Sequence, residues 1–132
     1  MNQMIISDLV YETNSKGFSN AVLSKASSRL YLSGIVGWDT QRKLTNEKDF
    51  LSQVKQIFFN IQTLLKEAKF SFDDIVRLEV YIVAVSKEKL KIFTEIMREY
   101  FPTEYKPTVT LIGVVALAAE NLEIEIQAIA EQ

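Results

Sequence analysis

Residues 51–85, LSQVKQIFFNIQTLLKEAKFSFDDIVRLEVYIVAV, hold the two patterns that decide the fold. Leu51, Val54, Ile57, Phe58, Ile61, Leu64, Leu65 and Ala68 recur at three-or-four spacing, which lays one apolar stripe along about five turns of helix. Ser71 and Asp74 punctuate the chain, and Ile75 to Val85 then drops the helical period for a β-branched run. Its length and composition predict a buried strand.

Working outward, Asn46 and Asp49 resemble a capping box for the first helix, and Glu47 would add favourable charge to its first turn. Gly37 to Lys48 is polar and turn-prone, so it reads as a loop. Before it, Ala21–Lys25 and Arg29–Ser33 flank Ala26-Ser27-Ser28 as two strands joined by a short turn, the second closed by Gly34. Downstream, Ser86 can cap a second helix in which Leu90, Phe93, Ile96, Met97, Tyr100 and Phe101 share a face, with Pro102 and Pro107 bracketing its end. Thr108 to Ala118 is apolar on both alternating faces, as expected of a strand covered by helices on one side and by other protein on the other. In Leu122 to Ala130 the apolar Leu122, Ile124, Ile126 and Ala128 alternate with Glu123, Glu125 and Gln127, so one face of this strand meets something polar. The order is α+β, a mostly antiparallel sheet with two helices on one face, and the whole of 1–132 reads as a single domain.

Composition removes whole classes of chemistry. Cysteine and histidine are both absent. There can be no disulfide, thiolate metal site, cysteine nucleophile, Ser-His-Asp triad or histidine-bound zinc, and no metal or cofactor is expected. Net charge is -2, with Lys and Arg scattered, so a nucleic-acid backbone would find no electrostatic footprint. Met1 to Thr13 lacks the basic start and apolar core of a signal peptide, and the longest apolar run, Leu111 to Ala119, is too short to span a bilayer. The expectation is a soluble, cytoplasmic protein without nucleic-acid or membrane partners.

Several local spellings, in order, are similar to the Rid (YjgF) family, also labelled endoribonuclease L-PSP. Ser19-Asn20-Ala21-Val22 resembles the family's Tyr-Ser-x-Ala-Val opening, and Leu32-Ser33-Gly34 its Ser-Gly strand end. Ser71-Phe72-Asp73-Asp74 resembles its Ser-Leu-Asp-Asp turn, and Glu99-Tyr100-Phe101 the close of its second helix. Ile124-Glu125-Ile126-Gln127-Ala128-Ile129-Ala130 is close to its Ile-Glu-Ile-Glu-Ala-Ile-Ala ending, so the likeness runs from about residue 18 to residue 130. The resemblance implies a chorismate-mutase-like fold and a homotrimer in which three sheets form a central barrel, with a small-molecule cleft at each subunit interface. In deaminating members that cleft hydrolyses enamines and imines to ketoacids and ammonia. There a Pro-Ala-Arg-Ser/Thr motif supplies an arginine whose planar guanidinium holds the substrate carboxylate.

The departures carry as much information as the matches. Pro107-Thr108-Val109-Thr110 stands at the motif, so Val109 replaces the arginine and offers a carboxylate neither donor nor charge. Phe18 replaces the opening tyrosine, Thr94 an asparagine of the second helix, and Leu111 a cysteine after the arginine. With Ser33 and the Gly34 backbone, these are the substrate-binding positions the resemblance implies; Glu125, which in the family helps position the attacking water, is the candidate catalytic residue. The competing bland reading of Glu125 is a solvated strand carboxylate. Arg29, Arg42, Arg77, Arg98 and Lys106 read as surface charges ahead of a substitute clamp, Trp38 and Tyr31 as packing residues at the barrel or subunit interface ahead of stacking on a ligand, and off-stripe Phe59 as a contact beyond the subunit's own core.

Three functions compete: a Rid-type trimer whose apolar cleft takes a small molecule without deaminating 2-imino acids, an enamine/imine deaminase using water activated by Glu125, and a non-catalytic binding module. An endoribonuclease or translation-inhibitor activity is the least supported, since the chain lacks the groups for acid-base work on a phosphodiester.

Overall fold

The computed structural model describes residues 2–46 and 49–132, so the expected contribution of Glu47 lies outside the described residues. Along the chain run β1 (Gln3–Ile5), β2 (Ala21–Ser24), β3 (Arg29–Leu32), β4 (Ile35–Val36), α1 (Phe50–Glu67), β5 (Ile75–Val83), α2 (Lys87–Tyr100), β6 (Thr108–Val114) and β7 (Ile124–Glu131). Among the described residues seven strands form one sheet, ordered β1-β2-β3-β7-β5-β6, with β4 also paired to β7. Every pairing is antiparallel except that of β5 with β6. The α+β architecture expected from the pattern is the one observed.

Alternation along the strands sorts the sheet into two faces. Leu30, Leu32, Ile35, Leu78, Val80, Ile82, Ile124, Ile126, Ala128 and Ala130 are buried and form one core with the stripe of α1, where Val54, Ile57, Phe58, Ile61, Leu64 and Leu65 are also buried. Phe58 stacks on Tyr100 with ring centroids 4.7 Å apart, and Phe72 stands 4.8 Å from Tyr100 and 5.5 Å from Phe101. This aromatic cluster ties α1, the turn before β5 and the end of α2 together.

Two buried amides on α1 then attach the helix to loops. Asn60 donates through Nδ2 to the carbonyls of Val36 and Trp38, at 3.2 and 3.0 Å. Gln53 donates to the Asn121 carbonyl and accepts from the Glu123 N–H, at 2.8 and 2.9 Å, which fixes the approach to β7.

The structure corrects four expectations. β1 is an additional strand, too short at three residues for a pattern to register. The first helix is capped by Asp49, whose side chain accepts from the Ser52 N–H at 3.1 Å, while the Asn46 side chain donates to the Ser52 hydroxyl and its carbonyl accepts from the Asp49 N–H. Leu90, expected on the buried face of α2, and Leu51, expected at the head of the α1 stripe, are exposed.

The fourth correction concerns the length of β6, expected from Thr108 to Ala118 under helices on one side and other protein on the other. It ends at Val114 because its partner ends at Val83, after which Ala84 turns with φ 50°. Within one chain it is the sheet edge: Val109 and Ile112 are 40% and 41% exposed, and Val115 just beyond is 98% exposed. No helix among the described residues is long and apolar enough to cross a membrane.

The cap assignment has a direct test. Asp49→Ala should lower unfolding free energy by about 1 kcal/mol in urea titrations, and Asn46→Ala by a small fraction of that.

Candidate functional site

Glu125 lies in the middle of the sheet, where β7 is bordered by β4 on one side and β5 on the other. It is paired with Val36 and with Tyr81, and Tyr81 is paired in turn with Ile112. Directly paired residues project to the same side, so these four share the face away from the helices. The carboxylate rests against the backbone of Gly34; a Cβ at position 34 would overlap Glu125 Oε2. A side chain at position 34 would therefore have to displace the Glu125 carboxylate from this seat. Partial burial of Glu125 raises its pKa above the ordinary glutamate value by disfavouring the charged form.

Ser33 precedes this glycine and holds the neighbouring strap in place. Its N–H donates to the Asn20 carbonyl at 2.8 Å and its hydroxyl to the Ser19 carbonyl. Phe18 lies next along the strap, half exposed. The chain therefore brings Ser33, Gly34 and Glu125 together, with Phe18 adjoining Ser19.

Val109 and Leu111 fall elsewhere. They pair with Leu78 and Val80, whose side chains are in the helix-side core, so they project to the face opposite Glu125. Thr94 is exposed on α2 in a shallow hollow lined by Lys87, Leu90, Lys91, Glu95 and Arg98, and its hydroxyl donates to the Leu90 carbonyl at 2.8 Å. Ser33, Gly34 and Glu125 thus lie together at one side of the sheet, while Val109 and Leu111 project to the other, where the helix bearing Thr94 packs.

Tyr11 is a site neighbour that the sequence did not single out. It is buried, its hydroxyl accepts from the Val36 N–H at 3.1 Å, and its carbonyl accepts from Asn20 Nδ2 at 2.8 Å. Burial pushes its pKa up to about 12, the nearby charge of Glu125 adding to the rise and that of Arg42 opposing it. No periodicity marks the strap that carries it, so no sequence signal could have found it.

The basic side chains divide. Arg29 and Arg77 pair with Glu131 and Glu79 at the surface, and Arg98 is exposed on α2. Arg42 is different: it is half-buried, its guanidinium lies over the rings of Trp38 and Tyr11, and it donates to the Glu12 carbonyl. Lys106 donates its ammonium to the Phe101 and Thr103 carbonyls, capping the end of α2 instead of being freely solvated. Trp38 packs edge-on against Tyr11 with centroids 5.5 Å apart, within its own chain, and Tyr31 and Phe59 are exposed.

A sheet organised around its last strand, helices on one face and a desolvated carboxylate beside a Ser-Gly strand end on the other, defines the YjgF-like α+β class. The endoribonuclease L-PSP family model matches residues 12–132, and the chain belongs to that family. It is 34% identical over 102 residues to a RutC family protein of Aquifex aeolicus, covering 76% of this chain and 78% of that one. It is also 34% identical over 115 residues to a RutC family protein of Leuconostoc mesenteroides, covering 84% and 85%. A Rid-family protein of unknown function from Yersinia pestis shares the fold with TM-score 0.88, at 22% identity over the full length of both chains.

The raised pKa of Glu125 sets a pH dependence. Above the raised value the native state holds a charge that the unfolded chain solvates better, so this residue costs stability at neutral pH. The cost fades as pH falls through the raised pKa and is absent below the ordinary glutamate range. Glu125→Gln should therefore gain on wild type in urea unfolding at neutral pH, with the gain vanishing below that range; a pH-independent difference would mean that the carboxylate is solvated.

Proposed function

We propose that the protein is a homotrimer, each chain one domain, that binds a small molecule in clefts between subunits and does not efficiently deaminate 2-imino acids. The observation that carries this reading is the division of the candidate positions between opposite faces of one sheet. Phe18, Ser33, Gly34 and Glu125 on one side, and Thr94, Val109 and Leu111 on the other, can line a common cleft only if two copies contribute to it. The uncovered sheet face and the exposed apolar edge of β6 support assembly, because an edge strand left bare invites pairing or burial.

Such a cleft would be lined by Phe18, Val109 and Leu111 and closed at one end by Glu125. Imine hydrolysis needs the substrate's carboxylate anchored so that its carbon faces a water held by a base, and positioning of this kind supplies much of the rate advantage. Val109 provides no anchor. Loss of a bidentate, charge-assisted contact removes roughly two to three decades of affinity for a carboxylate. A second reading keeps the deaminase activity, and the desolvated Glu125 favours it, since a raised pKa suits a proton-transferring group.

One assay separates the two. An amino-acid oxidase or threonine dehydratase generates 2-iminopropanoate or 2-iminobutanoate in place, and disappearance of the imine is followed with and without the protein. Wild type should accelerate the loss little. Val109→Arg should raise the rate about tenfold or more, Val109→Arg with Phe18→Tyr further, and Glu125→Gln should abolish the gain. Wild-type hydrolysis as fast as that of an arginine-bearing relative would establish the deaminase reading instead. Light scattering at micromolar concentration should give a trimer; a stable monomer would remove the shared cleft.

A further inference from the structure

The turn after β4 presents Arg42 in a way that a merely solvated arginine does not require. Asp39 closes it: Oδ1 accepts the N–H groups of Gln41 and Lys43 at 2.8 and 3.0 Å. The Asp39 N–H donates to the Lys43 carbonyl at 2.9 Å, and its carbonyl accepts from the Arg42 N–H at 3.1 Å. Arg42 itself sits at φ 59°, in the left-handed region that favours glycine, so the turn holds this residue against its own backbone preference.

Held in this way, the guanidinium carbon lies 5.3 Å from the Trp38 ring centroid and 5.8 Å from that of Tyr11. One N–H of the fork goes to the Glu12 carbonyl. A guanidinium carries five donors, so stacking and a single carbonyl leave an edge able to grip a planar anion. Beside it opens a hollow of about 340 Å³ lined by Trp38, Arg42, Lys43, Leu44, Glu120 and Asn121. That volume falls in the range of small-molecule sites.

We propose that this hollow is a binding site for a small monocarboxylate with an apolar tail. Arg42 grips the carboxylate through its fork, Lys43 adds a second positive charge, and Trp38 and Leu44 cover the tail. Among the lining residues Arg42 and Lys43 face Glu120, and the carboxylates of Asp39 in the same turn and Glu12 nearby add further negative charge, so a singly charged ligand is favoured over a dianion such as phosphate. The site is built within one chain and does not depend on the clefts of the proposed trimer.

Trp38 is the only tryptophan of the sequence, so intrinsic fluorescence reports on this hollow. Isovalerate and inorganic phosphate are titrated at constant ionic strength. Isovalerate should change Trp38 emission saturably, and phosphate should bind at least about tenfold more weakly. Arg42→Lys should weaken isovalerate several-fold and Arg42→Gln by about tenfold or more, the scale of a lost charge-assisted fork. Arg42→Gln placed in the Val109→Arg background should weaken this titration while leaving that variant's imine hydrolysis unchanged, so failure here and failure of the cleft reading are separately visible. An unsaturable response, an unchanged affinity in a folded Arg42→Gln, or tighter phosphate binding overturns the proposal. If circular dichroism shows that the Arg42 variants do not fold, amide spectra of the wild type decide: isovalerate must shift Arg42, Lys43 and the Trp38 indole N–H, and shifts confined elsewhere overturn it.

Discussion

Much of this molecule follows from the placement of β7, which is hydrogen-bonded to β3 and β4 along one edge and to β5 along the other. A strand bordered on both sides cannot slip by one residue without sending Ile124, Ile126, Ala128 and Ala130 out of the core and Glu125 into it. Four fully buried apolar side chains hold that register. The cost of reversing it, on the order of 1.5–3 kcal/mol for each large apolar group exposed, exceeds any gain from re-siting one carboxylate. The position of Glu125 is thus fixed by packing on the face opposite to its own.

Two helices cannot cover two faces. α1 and α2 cover one side of the sheet except at its β6 edge, where Val109 is exposed, and the other side carries Tyr31, Arg77, Glu79, Tyr81, Glu125, Gln127 and Ile129 at intermediate or full exposure. The mixture matters: charged pairs such as Arg77 with Glu79 keep that face compatible with water, while its aromatic and aliphatic members and the edge at Ile112 supply area that a second copy would bury. Glu125 is partly desolvated by its own chain, through the Gly34 backbone beneath it and Tyr11 nearby.

Polar groups do the attaching where strands give way to loops. Asn60 and Gln53 on α1 satisfy four backbone groups between them, and the Lys89 ammonium donates to the Val83 carbonyl at 2.6 Å and pairs with Glu123 at 3.3 Å. Buried amides and a half-sheltered ion pair of this kind gain little when formed but leave costly orphans when broken, which fixes loop geometry more than it adds stability. Arg42 belongs to the same set, with a fork that the loop only partly occupies.

Periodicity alone determined the elements that bury a face: the stripe from Leu51 to Ala68, the run from Ile75 and the alternation of Leu122 to Ala130 each report a one-dimensional rule about which side meets the core. Glu125 was legible from the alternation of β7, and the Ser33-Gly34 break between β3 and β4 from its local spelling, which resembles the family's strand end. Tertiary structure decided the rest. Asp49 caps α1 because of where the chain enters the helix, β6 stops at Val114 because its partner turns at Ala84, and Arg42 stacks on Tyr11 across thirty intervening residues. It also put Val109 and Glu125 on opposite faces, which depends on how β5 aligns β6 and β7 on its two edges. Registers between strands far apart in sequence are set by the packing of the finished sheet, and no local pattern encodes them.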